Sequence, residues 1–214
     1  MIVDEGQDFR EEWLDVLDAC LIDGKSGTFY LFFDDNQRVY SNNSRFAEQF
    51  SAPYYLTKNF RNTRSIHATT IPWYSGRVSR AVGPDGVSVD WVTAERPAEL
   101  VEALHHCMST LIRQHGIEPR DIAVLTGGKV ENNQAVKGGK IGGYTVCRAG
   151  ETVTGAIVFE TIRRFKGLDR LAIILIDVAK LEDAELIYVA LSRPGIYLAV
   201  VGGKYHIERL KSGT

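Results

Sequence analysis

Cysteine is scarce in this chain: Cys20, Cys107 and Cys147 are odd in number, far apart and without metal-ligand spacing. That excludes a disulfide framework and a zinc cage, and leaves buried free thiols in a reducing compartment as the expectation. Long apolar runs are absent, so no membrane-spanning helix is predicted, and no secretory signal pattern is recognisable. The cytosol is the expected location. Charge of one sign is not in excess either. A formal charge of −2 leaves nucleic-acid binding open, because a basic groove can be balanced by acidic surface elsewhere. There is no internal repeat and no low-complexity tract. The most consequential absence is a phosphate-binding loop: no Gly-x-x-x-x-Gly-Lys-Ser/Thr run occurs anywhere. Gly138 to Gly143 is rich in glycine, but Lys140 precedes Ile141 where a hydroxyl residue is required, so the stretch is rejected as a phosphate cradle.

What is present is ordinary for a globular chain. With 214 residues, 44% of them hydrophobic and 24% charged, the chain can support one large domain, or one domain and part of another. Short apolar runs alternate with helical segments, which predicts an α/β fold with a largely parallel sheet covered on both faces. The predicted strands are 29–33, 54–57, 87–92, 122–125, 156–159, 171–176 and 197–201, several of them continuous β-branched runs. The predicted helices are 9–22, 63–73, 98–114, 132–137 and 182–191. The third carries Leu100, Leu104, Met108, Leu111 and Ile112 at helical spacing. Residues 1–52 hold too few elements to bury a core and read as the tail of a larger domain. Residues 53–214 suffice for a self-contained α/β unit, with the boundary near Pro53.

Five segments carry polar chemistry at the ends of apolar runs. Ile2-Val3-Asp4-Glu5-Gly6-Gln7-Asp8 reads as the end of a buried strand delivering carboxylates to a cleft, where one holds Mg²⁺ and the next orients or deprotonates a water. Phe32-Phe33-Asp34-Asp35-Asn36-Gln37-Arg38-Val39-Tyr40 is an apolar strand running into a polar loop; alone, Asp-Asp-Asn is also an ordinary turn. Leu56-Thr57-Lys58-Asn59-Phe60-Arg61-Asn62 puts a cationic end on a short strand, where Arg61 by itself fits a solvated surface arginine equally well. Glu160 to Asp169, with sequence ETIRRFKGLD, lies between two strands, and Tyr188-Val189-Ala190-Leu191-Ser192-Arg193-Pro194 closes a helix.

In this order the five segments resemble motifs II to VI of the superfamily I helicases of the UvrD/Rep type, from Ile2 to about Val201. The resemblance implies a RecA-like P-loop NTPase fold: the C-terminal remnant of a first RecA-like domain (1–52) followed by a complete second one (53–214). It implies ATP and Mg²⁺ as cofactors of the complete protein, with Asp4 as the metal ligand and Glu5 as the carboxylate that activates the attacking water. Gln37 corresponds to the γ-phosphate sensor. Arg61 and Arg193 correspond to the two arginines that neutralise the transferring phosphoryl group, acting in hydrolysis and not in folding. Asp169 stands where the family has a glutamate near the nucleotide sugar; the alternatives are a helix cap for Asp169 and a structural ion pair for Arg193. Tyr40, Thr161 and Arg163 fall at positions implied to contact DNA.

The departures from the family pattern matter as much. Tyr40 is followed by Ser41 and Asn42, not by the aromatic that stacks on a base, so grip on the strand should be weaker there. Arg163 replaces a histidine and can still touch a phosphate. The span between Arg61 and Thr161 is too short for the large inserted domain of the long helicases. Without a phosphate loop, most of the triphosphate-binding energy is missing, and the isolated chain is expected to be no competent ATPase. The expected whole is an ATP-driven translocase on single-stranded or partly duplex DNA whose phosphate-loop half is supplied in cis or in trans. The alternatives are a non-catalytic nucleic-acid-binding or regulatory module, and a structural partner that completes another chain's sheet. Residues 1–52, with apolar strand edges, are expected to self-associate, to swap between chains or to pack against the second domain in a different orientation when that half is missing.

Overall fold

A computed structural model describes residues 1–21, 27–34 and 54–213. The chain divides into two units, Met1–Leu56 and Thr57–Thr214. In the first, β1 (Ile2–Val3) pairs in parallel with β2 (Tyr30–Leu31), and the helix α1 (Glu11–Ala19) lies between them in sequence. Val3 and Leu14 are buried, whereas Ile2 is 72% exposed. The strand that carries the acidic pair is thus buried on one side only among the described residues. A single 3₁₀ turn, Gly6–Asp8, follows. Only glycine fits at its first position, because a Cβ on Gly6 would come within 2.5 Å of Leu31 Cδ1.

The second unit begins with β3 (Lys58–Asn59), α2 (Arg64–Thr70) and β4 (Arg80–Ala81), with β3 and β4 paired in parallel. Then come β5 (Asp90–Thr93), α3 (Pro97–Ser109), β6 (Ile122–Thr126), β7 (Lys140–Ile141), β8 (Tyr144–Cys147), β9 (Ile157–Thr161), β10 (Arg170–Ile176), α4 (Ala184–Ser192), β11 (Pro194–Gly202) and α5 (Lys204–Ser212). Seven of these strands form one sheet in the order β5-β11-β10-β6-β9-β8-β7. Every pairing is parallel except the β7–β8 hairpin.

Parallel sheets must be buried on both faces because their crossover segments lie on them, and the central strands obey. Every residue of β6 is buried, and β10 is buried from Ala172 to Ile176. One face receives α3, whose Leu100, Leu104 and Met108, with Leu111 in the turn that continues it, pack on Val124, Phe159, Ile174 and Val201. The alternate residues, among them Ala123, Leu125, Ile173 and Val200, are fully buried on the other face. Helix α2 packs on β11 and on α4.

Several predicted elements differ. Residues 54–57 form no strand; Tyr54 and Leu56 are 91% and 76% exposed, and pairing starts at Lys58. Residues 132–137 form turns in place of a helix. Asn132 adopts a left-handed backbone (φ 55°), incompatible with regular helix, and the carboxamide of Asn133 bonds to Lys129 O and to Asp177. Three short strands (β4, β7 and β8) and the C-terminal α5 were not foreseen. Cys20 is exposed, while Cys107 and Cys147 are buried as expected.

Candidate functional site

In a parallel sheet all strands begin at one edge, so residues just before each strand become neighbours however far apart they are in sequence. Arg170, the first residue of β10, is in register with Pro194, the first of β11. Asp169 and Arg193 therefore meet at the N-terminal edge. Arg61, just after β3, joins them with its Nε 3.9 Å from Asp169 Oδ2. Both side chains are about half exposed (48% and 64%), so this pair is worth at most about 1 kcal/mol and exchanges readily for another partner. Arg61 and Asp169 lie on an open cavity of about 1090 Å³ lined also by Phe60, Arg120, Arg170 and Gly195. The Phe60 ring stands 76% exposed next to Arg61.

Arg193 differs from Arg61 in one decisive respect: it is 1% exposed. At the C-terminal end of α4, its Nε donates to Val189 O (3.2 Å) and its Nη2 to Ser192 Oγ (3.1 Å). A buried guanidinium anchored in this way contributes to folding, as the alternative reading of Arg193 expects. Asp169 caps no helix, since it leads into β10.

Sequence reasoning passed over the asparagines beside these residues. Asn62, 2% exposed, donates from Nδ2 to both Ser192 O (3.0 Å) and Pro194 O (2.7 Å). Asn59 Nδ2 donates to Asn62 Oδ1 (2.9 Å), while Asn59 Oδ1 accepts from the backbone N–H of Arg61 and of Asn62, each at 3.0 Å. Asparagine is common in turns, so its presence in Lys58 to Asn62 carried no signal of its own.

The opposite edge holds Thr161, one of the residues implied to contact DNA, with Arg163 just beyond it. Thr161 ends β9 in register with Thr126, which ends β6 beside Ile176 of β10. Segment 161–169 thus runs from one edge of the sheet to the other, and Thr161 does not meet Asp169. Thr161 Oγ1 accepts from Arg164 N (3.3 Å), and Arg163 is exposed. An open cavity of about 620 Å³ lies at this edge, lined by Gly127, Lys129, Asn132, Asn133, Asp177 and Lys180. Asp177 has a left-handed backbone (φ 54°), and its Oδ2 accepts from Thr126 Oγ1 (2.6 Å) and Asn133 Nδ2 (2.9 Å). A Cβ on Gly127 would come within 2.7 Å of Asp177 O, so only glycine lets the chain pass there.

Beneath Thr161 lies Glu160, fully buried. One of its oxygens accepts from Arg148 Nη2 and from Thr161 N, both at 2.9 Å, and the other is 3.9 Å from Arg164 Nε. A carboxylate inside an apolar strand was the visible signal for this residue.

In the first unit, Asp4 is exposed, and its Oδ1 accepts from Glu5 N (2.9 Å). Glu5 has a left-handed backbone (φ 54°, ψ 41°), a strained conformation for a residue with a side chain. Its carboxylate accepts from Gln7 Nε2, and Gln7 Oε1 accepts from Asp34 N (3.0 Å). Gln7, 1% exposed, thus ties the acidic motif to the start of the next one. Asp4 offers one hard oxygen ligand, which fits a Mg²⁺ whose other positions are filled by water and phosphate oxygens. Among the described residues no group of three or more His, Cys, Asp or Glu side chains could hold a metal by itself. Gln37 and Tyr40 lie outside the described residues. Among those residues no helix is long and apolar enough to cross a membrane.

No protein-family description matches this sequence, and no characterised protein matches it at significant similarity. The fold does have a counterpart among solved structures. The C-terminal domain of a possible DNA helicase from Lactobacillus plantarum WCFS1 is matched at 16% identity with a TM-score of 0.55, over 71% of this chain and 93% of that one. At that identity the likeness is one of fold: a mixed α/β domain around a mainly parallel seven-stranded sheet.

Proposed function

We propose that this chain is the C-terminal part of an ATP-dependent DNA helicase or translocase of superfamily I, of the UvrD/Rep type. The observation that carries the reading is the meeting of Arg61, Asp169 and Arg193 at one edge of the sheet, although Asn62 and Pro194 beside them are 132 residues apart in sequence. The fold likeness to a possible helicase domain supports it.

In this reading Arg61 gives up its weak pairing with Asp169 to neutralise charge on the transferring phosphoryl group, and Arg193, the second arginine of the pair, supports the site from a buried position at the same sheet edge. Asp169 is then free to hydrogen-bond a sugar hydroxyl. Phe60 offers a flat apolar face for a base. Glu5 orients and deprotonates the attacking water, and Asp4 holds Mg²⁺, which supplies charge neutralisation at the phosphates when bound. Thr161 and Arg163 contact the nucleic-acid backbone at the other edge. Segment 161–169, spanning the sheet, is the physical link between nucleotide and strand.

The test is ATP turnover by the pure chain, with and without single-stranded DNA, and again after a phosphate-loop half is supplied. The chain alone should bind ATP weakly and not turn it over. In the complemented protein, Arg61→Ala should lower turnover by about 10³-fold or more with little change in melting temperature. Arg193→Ala should do both: the same kinetic loss and about 1–3 kcal/mol of lost stability, because the buried guanidinium and its bonds to Val189 O and Ser192 Oγ are lost. Robust turnover by the pure chain that vanishes in Glu5→Gln would overturn the view that the missing loop is essential. Normal turnover in a folded, complemented Arg61→Ala protein would remove Arg61 from the site.

A further inference from the structure

The backbone around Arg193 is held from outside its own helix. Asn62 Nδ2 reaches the carbonyl on each side of that residue, Ser192 O at 3.0 Å and Pro194 O at 2.7 Å, and the next backbone N–H, from Thr63, donates to Gly195 O at 3.1 Å. Three carbonyls flanking Arg193 therefore accept from two consecutive residues of the segment that carries Arg61. The orientation of Asn62 is fixed in turn. Its Oδ1 accepts from Asn59 Nδ2, and Asn59 Oδ1 accepts from the N–H groups of Arg61 and Asn62. An asparagine side chain has two donors and an acceptor on one rigid plane, so it can bridge two carbonyls and still receive a bond. Serine or alanine cannot. The arrangement is buried at Asn62, where unmade bonds would be costly, and so it has one geometry.

We propose that Asn62, oriented by Asn59, is a positioning residue that locks the Arg61 segment and the turn at Arg193 into one body, so that the Arg61 guanidinium is presented to an anionic ligand in a fixed relation to that turn. Asn62 touches no reacting atom in this scheme. It acts through the backbone on either side of Arg193, while Asn59 Oδ1 holds the amide of Arg61. This inference rests on the reading of Arg61 as a nucleotide-facing residue.

Two measurements on the full chain separate the clamp from that reading. The first is hydrogen exchange by NMR in Asn62→Ala and, because that buried change could unfold the unit, in the milder Asn59→Ala, which removes the relay and the acceptor of the Arg61 amide but leaves both bonds of Asn62 to the backbone around Arg193. The Arg193 Nε–H and the Arg61 amide should exchange faster by about tenfold more than the amides of Val124 and Ile174 in the central strands, as expected when two local hydrogen bonds are lost. Equal acceleration at all four sites, or none at Arg61 and Arg193, would overturn the clamp. The second is binding of MgATP by titration calorimetry, with Arg61→Ala as the reference. Weaker binding by about tenfold in Asn59→Ala and Asn62→Ala is expected, with melting above the assay temperature. Unchanged affinity alongside faster local exchange would overturn the positioning role. Absence of MgATP binding by the unaltered chain would overturn the nucleotide reading itself, and the clamp would then stand or fall on the exchange data.

Discussion

At the scale of single residues, burial sorts groups that look alike in the sequence. Cys20 is exposed, whereas Cys107 and Cys147 are buried. Burial pushes the Cys107 thiol up to about 11, with the Asp90 carboxylate adding to the effect, and burial raises Cys147 as well, helped by Glu151. At pH 8 only roughly one Cys107 in a thousand would be thiolate, the form that reacts. A thiol-specific reagent should therefore modify one cysteine rapidly in the folded protein and all three after denaturation; three fast thiols in the native chain would contradict the buried placement. His67 offers a pH test. It is 7% exposed, and burial lowers its pKa below 6.5. The folded protein then binds fewer protons at this site than the unfolded chain, so stability falls as pH drops from 6.5 toward the lowered folded value and changes no further below it. Urea melts at pH 7.5 and 5.5 should show a smaller acid loss in His67→Gln than in the unaltered protein, and equal losses would rule out a buried neutral imidazole. Arg61 and Arg193 make the same point. Both end apolar segments in the sequence, but one is half exposed and the other sealed.

At the scale of elements, long periodic segments were legible and short ones were not. The spacing of Leu100, Leu104, Met108 and Leu111 placed α3, because four apolar residues on one stripe leave no other way to bury them. The buried strands β6, β10 and β11 were legible for the same reason: an unbroken apolar run can only be interior. Two-residue strands carry no period, so β3, β4 and β7 left no trace. Asp183 shows what local chemistry does reveal. Its Oδ1 accepts from Glu185 N (2.8 Å) and Leu186 N (3.3 Å) at the start of α4, the helix whose last turn anchors Arg193. Asp183→Ala should cost about 1 kcal/mol in chemical denaturation, and a change under 0.2 kcal/mol would mean that the cap is not the helix's stop signal. The misread segment 132–137 went the other way, because Asn133 is satisfied by Asp177, a residue 44 positions away that no local pattern could supply.

At the scale of the whole molecule, the described residues of the first unit carry exposed apolar side chains: Ile2 is 72%, Tyr30 59%, Trp13 50% and Val16 62% exposed. The two-stranded parallel pair among those residues is too small to be stable alone, and exposed strand edges invite pairing with other chains. In light scattering, the full chain should show concentration-dependent association that a chain beginning at Thr57 lacks. Equal monomeric behaviour of both would show that this surface is not a site of self-association. The second unit already buries a core on both sheet faces and should melt cooperatively when separated.

The sequence alone determined the fold class, the main helix and central strands, and which residue types stand at the ends of the apolar runs, because hydrophobic period and local capping are short-range properties of the chain. Only the tertiary structure decided which of those ends meet. Parallel register brings Asp169 and Arg193 to one edge and sends Thr161 to the other, though Thr161 and Asp169 belong to one continuous motif. Only the fold, too, put Asn62 against the backbone on both sides of Arg193, since a hydrogen bond between residues 132 positions apart depends on sheet register and helix packing and leaves no mark in the local sequence.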